Sequence, residues 1–320
     1  MSDEQVNRRG FVRKALLASA GTAAALSLEE KILLAAGDKP SAGPAGGISP
    51  GAMPMGQIGK VKISRLICGG NLTSGFAHSR DLVYVSALLR HYFTDEKVFE
   101  TWRNCEVCGI NTAILRLDET VLRLLKTYRG ERGGTLQWIT QIKTKDNRLT
   151  ADARRAIDHG AVGVYVQGGV GDRLVKEGKL EVLAEFVEFA KTNGVIGGIG
   201  SHALDVPVAC EKAGIEADFY MKTLHGTNYW SHRLDDVHDN VWCRTPEKTI
   251  EFMRKVTRPW IAFKVLAAGA INPTVGLKYA FGGGADFACV GMFDFQVADD
   301  AKIVRGLFAR GVKRPRPWRG

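Results

Sequence analysis

The sequence predicts one α/β domain in which eight parallel strands, each followed by a helix, close into a (β/α)8 barrel. Three observations carry that expectation. Short runs rich in β-branched, aromatic and small residues recur eight times. Helical runs with apolar residues at helical spacing separate them, and several of these end on glycine. The alternation fills about 250 residues, the span a (β/α)8 barrel typically needs. A doubly wound sheet normally has fewer strands at this length.

The expected strands are SRLICGG (64–70), NTAILRL (111–117), LQWITQIK (136–143), GVYVQGG (163–169), VIGGIGS (195–201), FYMKTLH (219–225), WIAFKVLAAG (260–269) and DFACVGMF (286–293). Between them, Thr94 stands as the N-cap of TDEKVFETWRNCEVCG. Lys97 occupies the position where a capping box would place Glu. LVKEGKLEVLAEFVEFAKTNG (174–194) reads as one helical run closed by Gly194, and LTADARRAIDHG, VPVACEKAG and PTVGLKYAFGGG read likewise.

Before the barrel, NRRGFVRKALLASAGTAAALSL pairs a charged start with a short apolar run, Ala15 to Leu28. That run is too short and too rich in Ala and Gly for a membrane span, and it fits an export signal. RRGFVRK resembles the twin-arginine signal. The resemblance implies delivery of a folded protein, by the twin-arginine export machinery, to a periplasmic or other extracytoplasmic space. Residues 1–36 are assigned to the signal, the Gly/Pro-rich 37–60 to a linker, 61–312 to the barrel and 313–320 to a basic, solvated tail.

The formal charge of +10 is concentrated at the ends. Residues 1–14 hold four basic and two acidic residues, and residues 305–320 hold six basic and none acidic. Only +2 remains for the stretch between. A near-neutral body of this kind does not point to nucleic acid; the expected partner is a small-molecule substrate. Cys105-x-x-Cys108 falls in the last turn of a helix with no second such pair, so it reads as core packing.

In such a barrel the chemistry sits at the C-terminal ends of the strands. Those ends offer Asn71; Arg116 and Asp118; Gln141, Lys143 and Lys145; Gln167; Ser201 and His202; Lys222 and His225; Lys264; and Met292 and Asp294. This polar, mostly cationic ring suits an anionic or heavily hydroxylated ligand better than a divalent cation, so no metal ligand set is assigned. His202 and His225 end neighbouring strands and are the candidates for proton transfer, or alternatively for two ligands of a divalent metal that would need a third from elsewhere. Lys264 or Lys143 would stabilise an oxyanion. Asn71, Arg116, Gln167 and Lys222 are candidate substrate contacts. The loop after strand six, LHGTNYWSHRLDDVHDN (224–240), adds Tyr229 and Trp230 to stack on a sugar-like face and His232 as part of a lid. Asp235, Asp236, His238 and Asp239 read as solvated turn and cap residues.

Four segments in the right order resemble the aldo-keto reductase superfamily: VKISRLICGG (61–70), CGINTA (108–113), GGIGSHAL (197–204) and DFACVGMFDFQVADDAKIV (286–304). The resemblance implies a TIM-barrel scaffold. It also brings an NADP cofactor into view, but the family's catalytic set is not retained. Ile114 stands at the position of the family's Asp. No Tyr lies between Ala113 and Lys126. Ile142 occupies the Lys position, with Lys143 one residue late, and Gln167 and Gly168 replace the His. His202 stands where the nicotinamide-contacting Asn is usual. Asp294, Asp299 and Asp300 oppose a 2′-phosphate. Three readings follow: an enzyme working on a polyhydroxylated or carbonyl substrate with His and Lys acid–base chemistry; a nicotinamide oxidoreductase with a replaced acid; and a non-catalytic sugar or anion binder.

Overall fold

In the computed structural model, residues 51–76, 82–144, 148–229, 231–232 and 242–320 are described. The expected export signal, Lys145, Trp230, Asp235, Asp236, His238 and Asp239 lie outside the described residues, as does linker segment 37–50.

Eight strands form a closed, all-parallel barrel in chain order: β3 (Leu66–Gly69), β4 (Thr112–Arg116), β5 (Gln137–Ile142), β6 (Gly163–Val166), β7 (Ile196–Ser201), β8 (Phe219–Thr223), β9 (Trp260–Phe263) and β10 (Phe287–Val290), with β10 pairing back to β3. Every strand predicted from the sequence is present at its predicted place. The observed strands are shorter, because pairing stops where the chain turns into each following loop.

Residues inside the barrel alternate with residues facing the helices, as the two-residue strand period demands. Ile67, Ile114, Ile139, Tyr165, Met221, Ile261 and Cys289 form one buried cluster contributed by separate strands. The opposite parity, with Trp138, Tyr220, Trp260 and Val164, packs against the helices.

The helix layer comprises α1 (Val85–Tyr92), α2 (Asp95–Val107), α3 (Glu119–Gly130), α4 (Leu149–Asp158), α5 (Gly168–Lys176), α6 (Leu180–Thr192), α7 (Asp205–Lys212), α8 (Pro246–Lys255), α9 (Pro273–Gly282) and α10 (Val297–Ala309). Thr94 caps α2 as expected, its hydroxyl accepting from the Lys97 amide at 3.4 Å. The run 174–194, expected as one helix, is two. Gly178 sits at φ +73°, a left-handed conformation that ends α5 and lets α6 start afresh. All six cysteines are free and buried. Cys105 is fully buried among the core side chains, so the Cys105-x-x-Cys108 pair does pack the core.

Two features of the barrel floor differ from expectation. Residues 55–60, assigned to the linker, form β1 (Met55–Ile58) and its turn, pairing antiparallel with β2 (Val61–Ser64). Gly59 at φ +56° makes the turn. This hairpin inserts Ile58 and Ile63 into the interior cluster beside Ile196, Phe219 and Phe287, and so plugs the end where the strands begin.

The basic tail, expected to be solvated, is anchored at Arg314 and Arg316 and mostly exposed elsewhere. Asp286 is fully buried. One of its carboxylate oxygens accepts from the Arg314 guanidinium at 3.0 Å and the Arg319 amide at 2.9 Å; the other accepts from the Trp260 amide at 2.9 Å. Arg316 pairs with Asp286 at 3.5 Å and donates to the Met253 and Arg258 carbonyls. Arg314 lies 3.5 Å from the centre of the Trp318 ring. Two of the tail's charges, Arg314 and Arg316, are used by a buried carboxylate at the start of β10, while Lys313 and Arg319 stay exposed. Breaking such a buried pair costs about 3–5 kcal/mol.

Among the described residues, no helix is long and apolar enough to cross a membrane.

Candidate functional site at the barrel mouth

The mouth is centred on His202, the residue after β7. Its parity follows Ile196, Gly198 and Gly200, so its ring rises on the interior side of the barrel. The glycines on that face are required. A Cβ on Gly198 would lie 2.3 Å from the Phe219 ring, and one on Gly200 would lie 2.5 Å from the Val166 carbonyl oxygen.

Asp172 holds the histidine. It lies in the second turn of α5, and its carboxylate accepts from His202 Nδ1 at 2.7 Å, from the His202 amide at 3.0 Å and from the Ala203 amide at 2.9 Å. That bond places the proton of the neutral ring on Nδ1 and leaves the lone pair on Nε2. Nε2 has no partner among the described residues. The side chain is 8% exposed. Burial lowers the His202 pKa; the bond to Asp172 opposes that shift, and the charge of Lys264 adds to it. A neutral, oriented imidazole with an open Nε2 has the form a general base requires.

α5 fits against this histidine through its own glycines. A Cβ on Gly168 would lie 2.9 Å from His202 Cε1, and one on Gly171 would lie 2.2 Å from the Gly200 carbonyl oxygen. QGGVGD and GGIGSH are therefore complementary surfaces. Each lacks side chains where the other approaches.

Lys264 follows β9 immediately, with φ at +57°. Ala267 and Ala268 share the left-handed region at +45° and +58°. Strain of this kind costs about 1–3 kcal/mol per residue and collects at functional sites. The Lys264 charge acts on both His202 and His225.

His225 does not belong with His202 as a proton-transfer partner. It is fully buried. Its Nδ1 lies 3.0 Å from the Gly226 carbonyl oxygen, and its Nε2 accepts from the Cys243 amide at 2.9 Å. With both nitrogens engaged, the ring ties the two ends of the 226–243 loop together, and burial lowers its pKa to about 4. The ring also packs edge-on against Tyr229 and Trp242, and Tyr229 against His232. Tyr229 and His232 are therefore placed as a packed collar around the latch, while Trp230 lies outside the described residues.

The other expectations divide. Gln167 caps α5, its side-chain oxygen accepting from the Val170 amide at 3.1 Å, which replaces its assignment as a substrate contact. Lys222 has the outward parity and is 1% exposed; its ammonium donates to the Thr223 hydroxyl at 2.8 Å and the Thr223 carbonyl at 3.1 Å. It is sealed from the mouth, so it too is withdrawn as a substrate contact. The Thr223 hydroxyl in turn donates to the His202 carbonyl at 3.1 Å, so Lys222 braces the strand end that carries His202. Arg116 lies at the rim, 4.6 Å from the Phe76 ring centre and 3.7 Å from Asp118. Asn71 and Lys143 are exposed on the rim.

Sequence reasoning missed two residues. Asp172 is thirty positions from its partner. Its only local signal is an acid one turn into a helix that opens on glycine. Tyr165 lies on the interior face of β6 at 3% exposure. Its hydroxyl has no hydrogen-bond partner among the described residues, and burial raises its pKa, so it stays protonated and keeps a proton to donate.

Among the described residues, no group of three or more His, Cys, Asp or Glu is arranged to hold a metal. The residues at the end of β10 also do not fit a nicotinamide 2′-phosphate. α10 opens with Asp299 and Asp300 in its first turn, and Asp294 is occupied by Tyr92 at 2.5 Å and Lys97 at 2.9 Å.

No family model and no curated protein matches the chain. Solved structures do. A putative aldo-keto reductase from Pseudomonas aeruginosa aligns over 82% of this chain and 96% of its own, at 15% identity and a TM-score of 0.57. A glycerol dehydrogenase from Gluconobacter oxydans aligns over 83% and 98%, at 12% identity and a TM-score of 0.52. An aldo-keto reductase from Bacillus halodurans aligns over 79% and 91%, at 12% identity and a TM-score of 0.52. At these identities the likeness is one of fold: the chain is a (β/α)8 barrel that distantly resembles the aldo-keto reductases.

Proposed function

We propose that the protein is an enzyme that moves a proton on a small hydroxylated or carbonyl substrate, with His202 as the base and Lys264 as the cation beside the developing oxyanion. The observation that supports this most is the half-used histidine: one nitrogen fixed by Asp172, the other open at the mouth of a barrel. Asp172 is a positioning residue, keeping the lone pair on Nε2 and stabilising the imidazolium formed when the proton arrives. The retained scaffold and the lost reductase positions favour this chemistry over hydride transfer.

The test is solvent exchange. Small hydroxy-carbonyl compounds are incubated with the protein in D2O, and deuterium entering the carbon next to the carbonyl is read by mass spectrometry. Exchange with wild type and its loss in His202→Gln is the expected result. Equal exchange in both would sink the assignment.

We also propose export by the twin-arginine route, from Arg8, Arg9 and Phe11 ahead of the apolar run. A folded reporter fused to residues 1–36 should leave the cytoplasm, and Arg8→Lys with Arg9→Lys should retain it. Export unchanged by that double substitution would contradict the proposal.

A further inference from the structure

We infer that the mouth takes a substrate bearing an oxyanion group, a carboxylate or a phosphate, held by the amides of Gly168 and Gly169 and the Tyr165 hydroxyl beside His202. The inference rests on the reading of this pocket as the substrate site and names the class of molecule it accepts.

α5 begins one residue after β6, so its amino end opens at the C-terminal end of the barrel. The Gln167 side chain satisfies the Val170 amide, the third of the helix. The first two amides, Gly168 and Gly169, have no acceptor among the described residues. Amides at a helix start favour an anion through direct donation and through the aligned peptide dipoles.

Two buried side chains point to a ligand independently of the helix. Tyr165 is 3% exposed and its hydroxyl is unpartnered among the described residues. The His202 side chain is 8% exposed with an unpartnered Nε2. The start of α5, the Tyr165 ring and the His202 ring all approach Gly200 or Gly168. A Cβ on Gly200 would lie 3.0 Å from the Gly168 nitrogen and 3.1 Å from Tyr165 Cδ2, and a Cβ on Gly168 would lie 2.9 Å from His202 Cε1.

The Lys264 charge acting on His202 agrees in sign with an anionic ligand, and the carboxylate acting on it, Asp172, is already bonded to three N–H donors of residues 202 and 203. Tyr165, kept protonated by burial, donates without competing for the substrate's proton.

The full chain, labelled with 15N-glycine, is titrated separately with inorganic phosphate, glycolate and neutral ethylene glycol. Shifts at Gly168 and Gly169 with phosphate or glycolate, but not ethylene glycol, are expected. Which anion binds more tightly identifies the oxyanion. Tyr165→Phe, which keeps the ring, should weaken that binding about 5- to 10-fold. Absent shifts at the two glycines, or equal shifts with ethylene glycol, overturn the inference.

His202→Gln separates the two proposals. Anion binding that persists in this variant while solvent exchange is lost supports both. Exchange unchanged in the variant, with anions still bound, removes the base assignment and leaves the anion site standing. Exchange lost, with no anion bound by wild type, does the reverse.

Discussion

The ends of β7 and β8 carry the same residue in nearly the same place and use it in opposite ways. His202 and His225 both present Nδ1 to an oxygen, Asp172 in one case and the Gly226 carbonyl in the other. They differ at Nε2. At His225 the Cys243 amide occupies it; at His202 nothing among the described residues does. A histidine with both nitrogens bonded to backbone is a fastener, whereas one with a single nitrogen fixed by a carboxylate is poised to take a proton. The identity of the side chain does not decide the role; the occupancy of its second nitrogen does.

The largest effect is expected at His202. His202→Gln should lower the rate of solvent exchange by about 10²–10⁴-fold, the usual contribution of a general base, with little change in melting temperature. A large loss of stability and a small loss of rate would exchange the roles of the two histidines. Asp172→Asn should cost roughly 10²-fold, because an amide can hold the ring in the wrong tautomer. The pH–rate profile should shift with it, a readout that simple loosening of α5 would not produce.

His225→Ala should act on stability instead. It leaves the buried Cys243 amide without an acceptor, worth about 1–3 kcal/mol in urea unfolding, and should raise proteolytic cleavage between residues 226 and 243.

The pH dependence has a definite sign. The folded-state pKa of His225, about 4, lies below the unfolded value of 6.5. The unfolded chain therefore binds the proton more readily, and stability falls as pH drops from 6.5 towards 4, by on the order of 3 kcal/mol in total. His225→Ala should flatten that part of the curve.

The smallest effect is a control of opposite sign. Asp300 on α10 is buried, and burial raises its pKa to about 6. Its contribution to stability is lost as pH rises from about 4 to 6. Asp300→Asn should stabilise the protein at pH 8 by about 1–2 kcal/mol and leave exchange unaffected.

The barrel was legible in the sequence because eight strand periods and their helices repeat a local pattern that burial enforces. His202 was legible for the same reason: it ends a strand, and barrel strand ends face the mouth. What escaped was set by contacts far apart in the chain. Asp172 meets His202 only because α5 folds back over β7. His225 was assigned a catalytic role because the approach of Cys243, eighteen residues on, is invisible in a list of strand ends. Tyr165 could have been found from parity, since it shares a face with Gly163 and alternates with the outward Val164 and Val166. The tail misled because a charge run normally reads as solvated; its partner Asp286 lies twenty-eight residues before Arg314 in sequence and beneath it in space.

The most direct test of the account is a pH titration of the histidine side chains by 15N NMR in the full chain. His225 is expected to stay neutral down to about pH 4, with its proton on Nδ1 and insensitive to Asp172→Asn. His202 is also expected to carry its proton on Nδ1 when neutral, and to change its tautomer and titration in Asp172→Asn. A His225 that titrates near its ordinary value while His202 ignores the loss of the Asp172 carboxylate would contradict the assignment of base and fastener.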